Sequence, residues 1–250
     1  MQTAEILQSV EHRPFPLHSG AWIMTQRWKD VLFAHWSLTP EELRPFVPSA
    51  LSLDTFEDQC WLTITPFSMS HVAPRGFPPI PALSDSYELN VRTYVIANGI
   101  PGIYFFSLDA SNPLMVLLAR HVYSLPYFKA RMHSEQRGNL FFYSSVRTDP
   151  KGLPATFIAR YQPHPAIFQA ERGTLDYWLL ERYCLYTVIG RQKILRAHIH
   201  HRPWELQKAR MEILYNSMTL AARFPLPEQA PLLHYSQVQD VLVWPIFPTT

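Results

Sequence analysis

The sequence predicts an α+β fold built mainly on a long, mostly antiparallel sheet. Period-two alternation recurs along most of the chain, one tight-turn signal joins two such runs, and only a few segments carry helix-start chemistry. In chain order, Trp22, Met24, Gln26 and Trp28 alternate with Ile23, Thr25 and Arg27, the signature of a half-buried strand. Thr39-Pro40-Glu41-Glu42 then places a capping residue, a proline at the first helical position and a glutamate at the third, so a short helix begins there and stops near Pro45 or Pro48. Cys60, Leu62 and Ile64 alternate with Trp61, Thr63 and Thr65 in a second strand. Runs 88–95 and 103–108 are two more, joined by Asn98-Gly99 as a β-hairpin. Asn112-Pro113 opens a helix over 114–124 that is apolar nearly all round, which predicts a helix enclosed by the fold, ending before Pro126. Segments 141–147, 156–161, 183–189 and 194–201 complete the strands, Thr174 caps a helix over 175–182, and 204–209 is read as a turn or weak helix.

Composition narrows the classes. At 250 residues, 47% hydrophobic and a formal charge of +2, the chain is globular, and it carries neither a Lys/Arg-rich block for nucleic acid nor a 20-residue apolar run for a membrane span. The first residues lack a basic start and an apolar middle, so a cytoplasmic location is expected. Cys60 and Cys184 are too few and too far apart for a disulfide framework or a CxxC motif. With 8 Gly against 23 Pro, and neither GxGxxG nor GxxxxGK[ST], phosphate loops drop out and no cofactor is expected. Without a linker or a repeat, the expected organisation is an N-terminal extension, 1–19, and one domain, 20–250. Exposed sheet edges leave room for a homodimer.

Two patterns carry candidate chemistry. On the strand 88–95, Glu88, Asn90, Arg92 and Tyr94 share one face and Leu89, Val91, Thr93 and Val95 the other. Periodicity alone makes the polar face solvent-facing. His198-Ile199-His200 puts two imidazoles on one strand face at ligand spacing, the basis of a metal-dependent alternative, although no third ligand follows in the expected pattern.

The strings WIMTQRWKDVLFAHW (22–36), ELRPFVPSALSLDTF (42–56), ELNVRTYV (88–95), FFSLDAS (105–111), LPYFKARM (125–132), ERYCLY (181–186), HHRPW (200–204) and DVLVWP (240–245) resemble, in the same order, the YqjF-like family of uncharacterised bacterial proteins. That resemblance implies the acetoacetate-decarboxylase-like fold, a strongly curved antiparallel barrel with a buried helix and an internal cavity. ARHVYSLPYFK is similar to the segment carrying the decarboxylase's Schiff-base lysine. That enzyme has two adjacent lysines directly after a proline; here Pro126 is followed by Tyr127 and Phe128, and the first lysine is Lys129.

In such a barrel the polar strand face would line the cavity, with Arg92 holding a ligand carboxylate, Glu88 acting as acid or base, and Asn90 and Tyr94 beside them. Arg120, near the end of the apolar helix, requires an anion, either Asp109, Glu88 or the ligand. Asp109 is a further ligand-binding candidate. Tyr127 shares a face with Lys129, and Lys129 is the amine nearest the place where the decarboxylase keeps its nucleophile. The expected function is binding of a small carboxylate- or oxo-bearing molecule in the cavity, with decarboxylase/lyase-like or proton-transfer chemistry left open. The alternatives are a non-catalytic ligand-binding or structural module and a metal-dependent enzyme using His198 and His200.

Overall fold

In the computed structural model, described for residues 2–190, 192–224 and 229–249, strands far outnumber helices. They are β1 (Met24–Leu38), β2 (Ser52–Leu53), β3 (Cys60–Pro74), β4 (Ser86–Ala97), β5 (Ile100–Ala110), β6 (Tyr127–Arg137), β7 (Leu140–Arg147), β8 (Thr156–Phe168), β9 (Cys184–Ile189), β10 (Lys193–His200), β11 (Leu206–Asn216) and β12 (Leu232–Pro248). All belong to one sheet, ordered β10-β9-β5-β6-β7-β8-β11-β12-β1-β3-β4-β2. Additional pairings of β4 with β5 and of β10 with β12 bring that order back on itself. Pairing is antiparallel except where β5 meets β6 and β9. The helices are short: α1 (Thr3–Gln8), α2 (Pro40–Leu43), α3 (Pro113–Tyr123), α4 (Leu175–Leu180) and α5 (Met218–Ala221). None is long and apolar enough to cross a membrane.

Local chemistry explains the joints. Asn98 and Gly99 adopt φ of 51° and 72°, the left-handed pair that a two-residue hairpin needs, and Ala97 pairs with Ile100 across it. Thr39 and Glu42 form a reciprocal capping box at α2. The Asn112 side chain accepts from the backbone N–H of Leu114 and Met115 to start α3, and Thr174 accepts from Tyr177 N–H to start α4. Segment 204–209 departs from its reading: it leads into β11, paired with β8. Ala209, Met211 and Ile213 alternate with exposed Lys208, Arg210 and Glu212, so the period is that of a strand although the residue types favour helix.

The sheet is buried on both faces over much of its length. Along β1, Leu32, Ala34 and Trp36 enter one apolar cluster with Leu89 and Val91 of β4, while Val31 and Phe33 enter another with Phe67, Met69 and Trp204. The described part of the expected extension, from residue 2, docks on the sheet: Ile6 is 2% exposed against Leu242 and Trp244.

The expectation of an enclosed helix is corrected. Only Val116 of α3 is fully buried, whereas Leu117 and Val122 are 52% and 54% exposed. Apolar residues all round α3 predicted enclosure, but in the single chain α3 lies on the sheet with one apolar face open. Its charge is nevertheless satisfied: Arg120 Nη2 lies 2.6 Å from Asp149 Oδ2 and Nε donates to the Tyr127 carbonyl at 2.6 Å. Asp149 also accepts from the backbone N–H of Lys129, so this ion pair ties α3 to β6.

Candidate functional site

A cavity of about 380 Å³ lies between β1, β3, β4, β5 and α3. Its walls are mostly apolar, including Trp28, Phe33, Phe67, Phe105, Leu108, Met115 and Trp204. Into this surface β4 presents Glu88, Asn90 and Arg92, at i, i+2 and i+4 on one strand face. The polar face of β4 is therefore turned inward, with the three residues 2%, 7% and 8% exposed. The alternate residues Leu89 and Val91 fill the apolar cluster on the other side.

Burial sets the electrostatics. Glu88 is the one acidic side chain in the cavity wall, and loss of hydration pushes its carboxyl up to about 8, against the opposing effect of hydrogen bonds from Tyr127 and Asn90. It is thus mainly a neutral acid at pH 7. The Tyr127 hydroxyl, itself buried and lining the cavity, donates to Glu88 Oε2 at 3.1 Å. Arg92 has no ion pair among the described residues, its Nε lacks a hydrogen-bond partner, and its guanidinium carbon lies 5.3 Å from the centre of the Phe33 ring. Desolvation lowers its pKa from the ordinary arginine value, opposed by the nearby Tyr94 oxygen. The second arginine of the wall, Arg182, is neutralised by Asp54 at 2.5 Å and stacks over Trp178. Thr65 Oγ1 and Asn90 Oδ1 line the cavity without partners.

The sequence-derived candidates separate on this geometry. Glu88, Asn90, Arg92 and Tyr127 reach the cavity; Tyr94, Asp109, Arg120 and Lys129 are not in its lining. Tyr94 is fully buried behind it, its hydroxyl 2.7 Å from Thr63 Oγ1. Asp109 is locked to Arg147, with Nη2–Oδ1 at 2.6 Å and Nε within 3.0 and 3.1 Å of the two carboxylate oxygens. Arg120 finds its anion in Asp149, not in Asp109 or Glu88. Lys129 is exposed, because α3 and Pro126 start β6 so that Tyr127 points inward and the next residue but one falls where the strand has left the cavity.

The histidine pair is also corrected. His200 spends both ring nitrogens, on Arg13 Nη1 at 2.9 Å and the Ile6 carbonyl at 2.8 Å. His198 has neither nitrogen hydrogen-bonded and stacks on His18, centroids 4.7 Å apart. Neither residue belongs to a cluster of three potential metal ligands among the described residues; the cluster that exists is His12, Glu181 and His201. Sequence reading missed Arg182, His201 and Thr65 as wall residues. For Thr65 a signal existed, since Thr63 and Thr65 alternate with apolar neighbours, whereas Arg182 and His201 sit just past the ends of an element, where periodicity says nothing.

The mostly antiparallel sheet around this cavity has the acetoacetate-decarboxylase-like fold. The structure is similar to an acetoacetate decarboxylase from Legionella pneumophila subsp. pneumophila str. Philadelphia 1, with a TM-score of 0.64 at 11% identity over 98% of this chain and 95% of that one. It is similar also to the enduracididine biosynthesis enzyme MppR complexed with pyruvate, with a TM-score of 0.60 at 9% identity over 94% of this chain and 92% of that one. At these identities the likeness is one of fold. Residues 25–240 match the DUF2071 family, described as an uncharacterized conserved protein, and the chain belongs to that family. It is 51% identical over 227 residues to the uncharacterized protein YqjF of Bacillus subtilis (strain 168), covering 91% of this chain and 93% of that protein.

Proposed function

We propose that this protein binds a small organic acid, carboxylate- or oxo-bearing, inside a barrel-like sheet, with Arg92 receiving the carboxylate. The observation that carries this reading is Arg92 itself: a buried guanidinium without an acidic partner, facing a mostly apolar cavity whose one acid is protonated near neutrality. A buried cation is costly unless paired, and a carboxylate ligand supplies the missing charge in bidentate geometry. The apolar wall accepts the remainder of the molecule. The pyruvate complex of MppR, a protein of the same fold, supports the ligand class.

Glu88 is placed to take part in proton transfer. Tyr127 donates to its Oε2, so in the neutral acid the proton is available on Oε1 for a developing oxyanion or carbanion of the ligand. Imine formation at Lys129 has no part in this reading, since an exposed amine lies outside the cavity.

Thermal-shift titration of the chain with pyruvate and larger 2-oxo acids, against the corresponding neutral amides, tests the proposal. The acids are expected to raise the melting temperature and the amides not to, and Arg92→Met is expected to weaken acid binding about tenfold or more. Equal shifts with acids in Arg92→Met and in the unaltered protein would reject it.

A further inference from the structure

We infer that His12, Glu181 and His201 form a binding site for one divalent transition-metal ion of the zinc class. The three residues come from distant parts of the chain: the segment after α1, the residue that ends α4, and the residue that follows β10. One ligand atom from each lies within 4.8 Å of the other two. A tetrahedral ion with bonds of ~2.1 Å needs ligand separations of about 3.4 Å, so binding requires the three side chains to close by up to about 1.4 Å.

The hydrogen bonding around the histidines is that of metal ligands. A ring nitrogen of His12, Nε2, lies 3.0 Å from the His201 carbonyl, and Nδ1 of His201 lies 2.7 Å from the Arg202 carbonyl. A carbonyl only accepts, so Nε2 of His12 carries its proton, and on His201 the 2.7 Å contact to the carbonyl outweighs the 3.5 Å contact from the Gln239 amide nitrogen and puts the proton on Nδ1, leaving the lone pairs on His12 Nδ1 and His201 Nε2. Backbone carbonyls hold metal-bound imidazoles in one tautomer in the same way.

Glu181 completes the donor set. It is 3% exposed, accepts from the Tyr183 hydroxyl and more weakly from Trp204 N–H, and forms no ion pair with Lys or Arg among the described residues. Arg13, whose charge acts on it from a distance, donates through Nε to the Phe15 carbonyl and through Nη1 to the Ile199 carbonyl and His200, over the ring of Tyr183, while its Nη2 has no hydrogen-bond partner. Two neutral imidazoles and a carboxylate leave a tetrahedral ion one open position. Since His201 is also part of the cavity wall, an ion bound there adjoins the cavity. This inference does not depend on the anion proposal, because the test uses the metal alone.

The full chain, freed of any affinity tag and stripped with chelator, would be titrated with Co²⁺ as the spectroscopic substitute for Zn²⁺. The expected result is visible d–d absorption that saturates at one Co²⁺ per chain, is displaced by equimolar Zn²⁺, and raises the melting temperature. His12→Ala, at a half-buried position in the N-terminal segment, and Glu181→Gln, which keeps the side chain's size, should each weaken Co²⁺ binding at least tenfold, with His198→Ala leaving it unchanged. No saturable visible band in folded, stripped protein overturns the site. So does a band that survives His12→Ala or disappears in His198→Ala.

Discussion

The hydroxyl of Tyr127 donates to Oε2 of Glu88 at 3.1 Å in the cavity wall, where both side chains are buried. The hydrogen bond favours the ionised carboxylate, but burial outweighs it and the native pKa rises from 4.5 to about 8. Between those two values the native state holds a proton that the unfolded chain has released. Stability from this group is therefore complete below about pH 4.5, falls as pH rises through the window, and levels off above about 8. Relative to Glu88→Gln, which does not titrate, the unaltered protein should lose stability with a slope approaching 1.4 kcal/mol per pH unit at its steepest (about one unit of pKa difference). Urea unfolding of both proteins from pH 5 to 9 measures this. Glu181, raised to about 7, titrates in the same direction but is common to both and cancels in the difference. Parallel profiles would mean that Glu88 is ionised in the fold.

Asp109 and Arg147 form the most enclosed ion pair described, their side chains 0% and 2% exposed. Arg147 also lies 4.0 Å from the centre of the Phe128 ring. Removing one partner strands a charge where solvent cannot reach it, so Arg147→Met should cost about 3–5 kcal/mol in chemical denaturation. The double variant Asp109→Leu/Arg147→Met removes both charges and should be clearly more stable than Arg147→Met alone. A double variant that is worse than the single one would show that the pair holds the fold by more than mutual compensation.

Sequence and structure part company for identifiable reasons. Alternation on β4 defined which residues share a face, but period two is symmetric with respect to inside and outside, so the inward turn of Glu88 and Arg92 came only from resemblance to a cavity-bearing fold. For Arg120 the sequence correctly demanded a counter-ion and for Asp109 it named none, since their partners Asp149 and Arg147 lie 29 and 38 residues away and only the β6–β7 hairpin brings them close. β12 went unread because Leu232–Pro248 mixes buried runs with exposed Gln237 and Val238, and of its two prolines Pro245 falls at the register shift in the pairing with β10 and Pro248 at the end of that pairing. His12 lay in a segment with no periodicity at all, so its meeting with His201 is purely tertiary.

Lys129 offers a direct separation between this protein and an imine-forming decarboxylase. Its side chain is exposed, it follows Pro126 by three residues, and its backbone, not its amine, is held by Asp149. An amine outside the cavity has neither the burial nor the neighbouring cation that would activate it as a nucleophile. Borohydride treatment in the presence of pyruvate should therefore label Lys129 no more than other surface lysines when the peptides are mapped by mass spectrometry. Lys129→Ala should leave acid-induced thermal stabilisation unchanged. Selective labelling at Lys129 would instead require a state in which β6 carries Lys129, two residues past Tyr127, into the cavity.

Two glycines of the same hairpin test whether chain geometry or packing limits this sheet. Gly99, in the turn, has φ of 72° and open space where a Cβ would stand, so Gly99→Ala pays only for backbone strain, about 1 kcal/mol. Gly102 has no such φ, but a Cβ there would stand 2.6 Å from Tyr186 Cε2, 2.7 Å from Cys184 Sγ and 2.9 Å from the Cys184 carbonyl. Tyr186 cannot swing away, because it is fully buried and its hydroxyl donates to the Ile100 carbonyl at 2.9 Å. The clash must move β5 and β9 apart where Ile103 pairs with Leu185 in parallel. Gly102→Ala should thus cost more than Gly99→Ala, roughly 2–3 kcal/mol by urea midpoint. Cys184→Ala removes one of the three obstructing atoms, so in its background the penalty of Gly102→Ala should shrink without vanishing, the carbonyl and the ring remaining in place. Equal costs at the two glycines would show that the close approach of β5 to β9 relaxes freely.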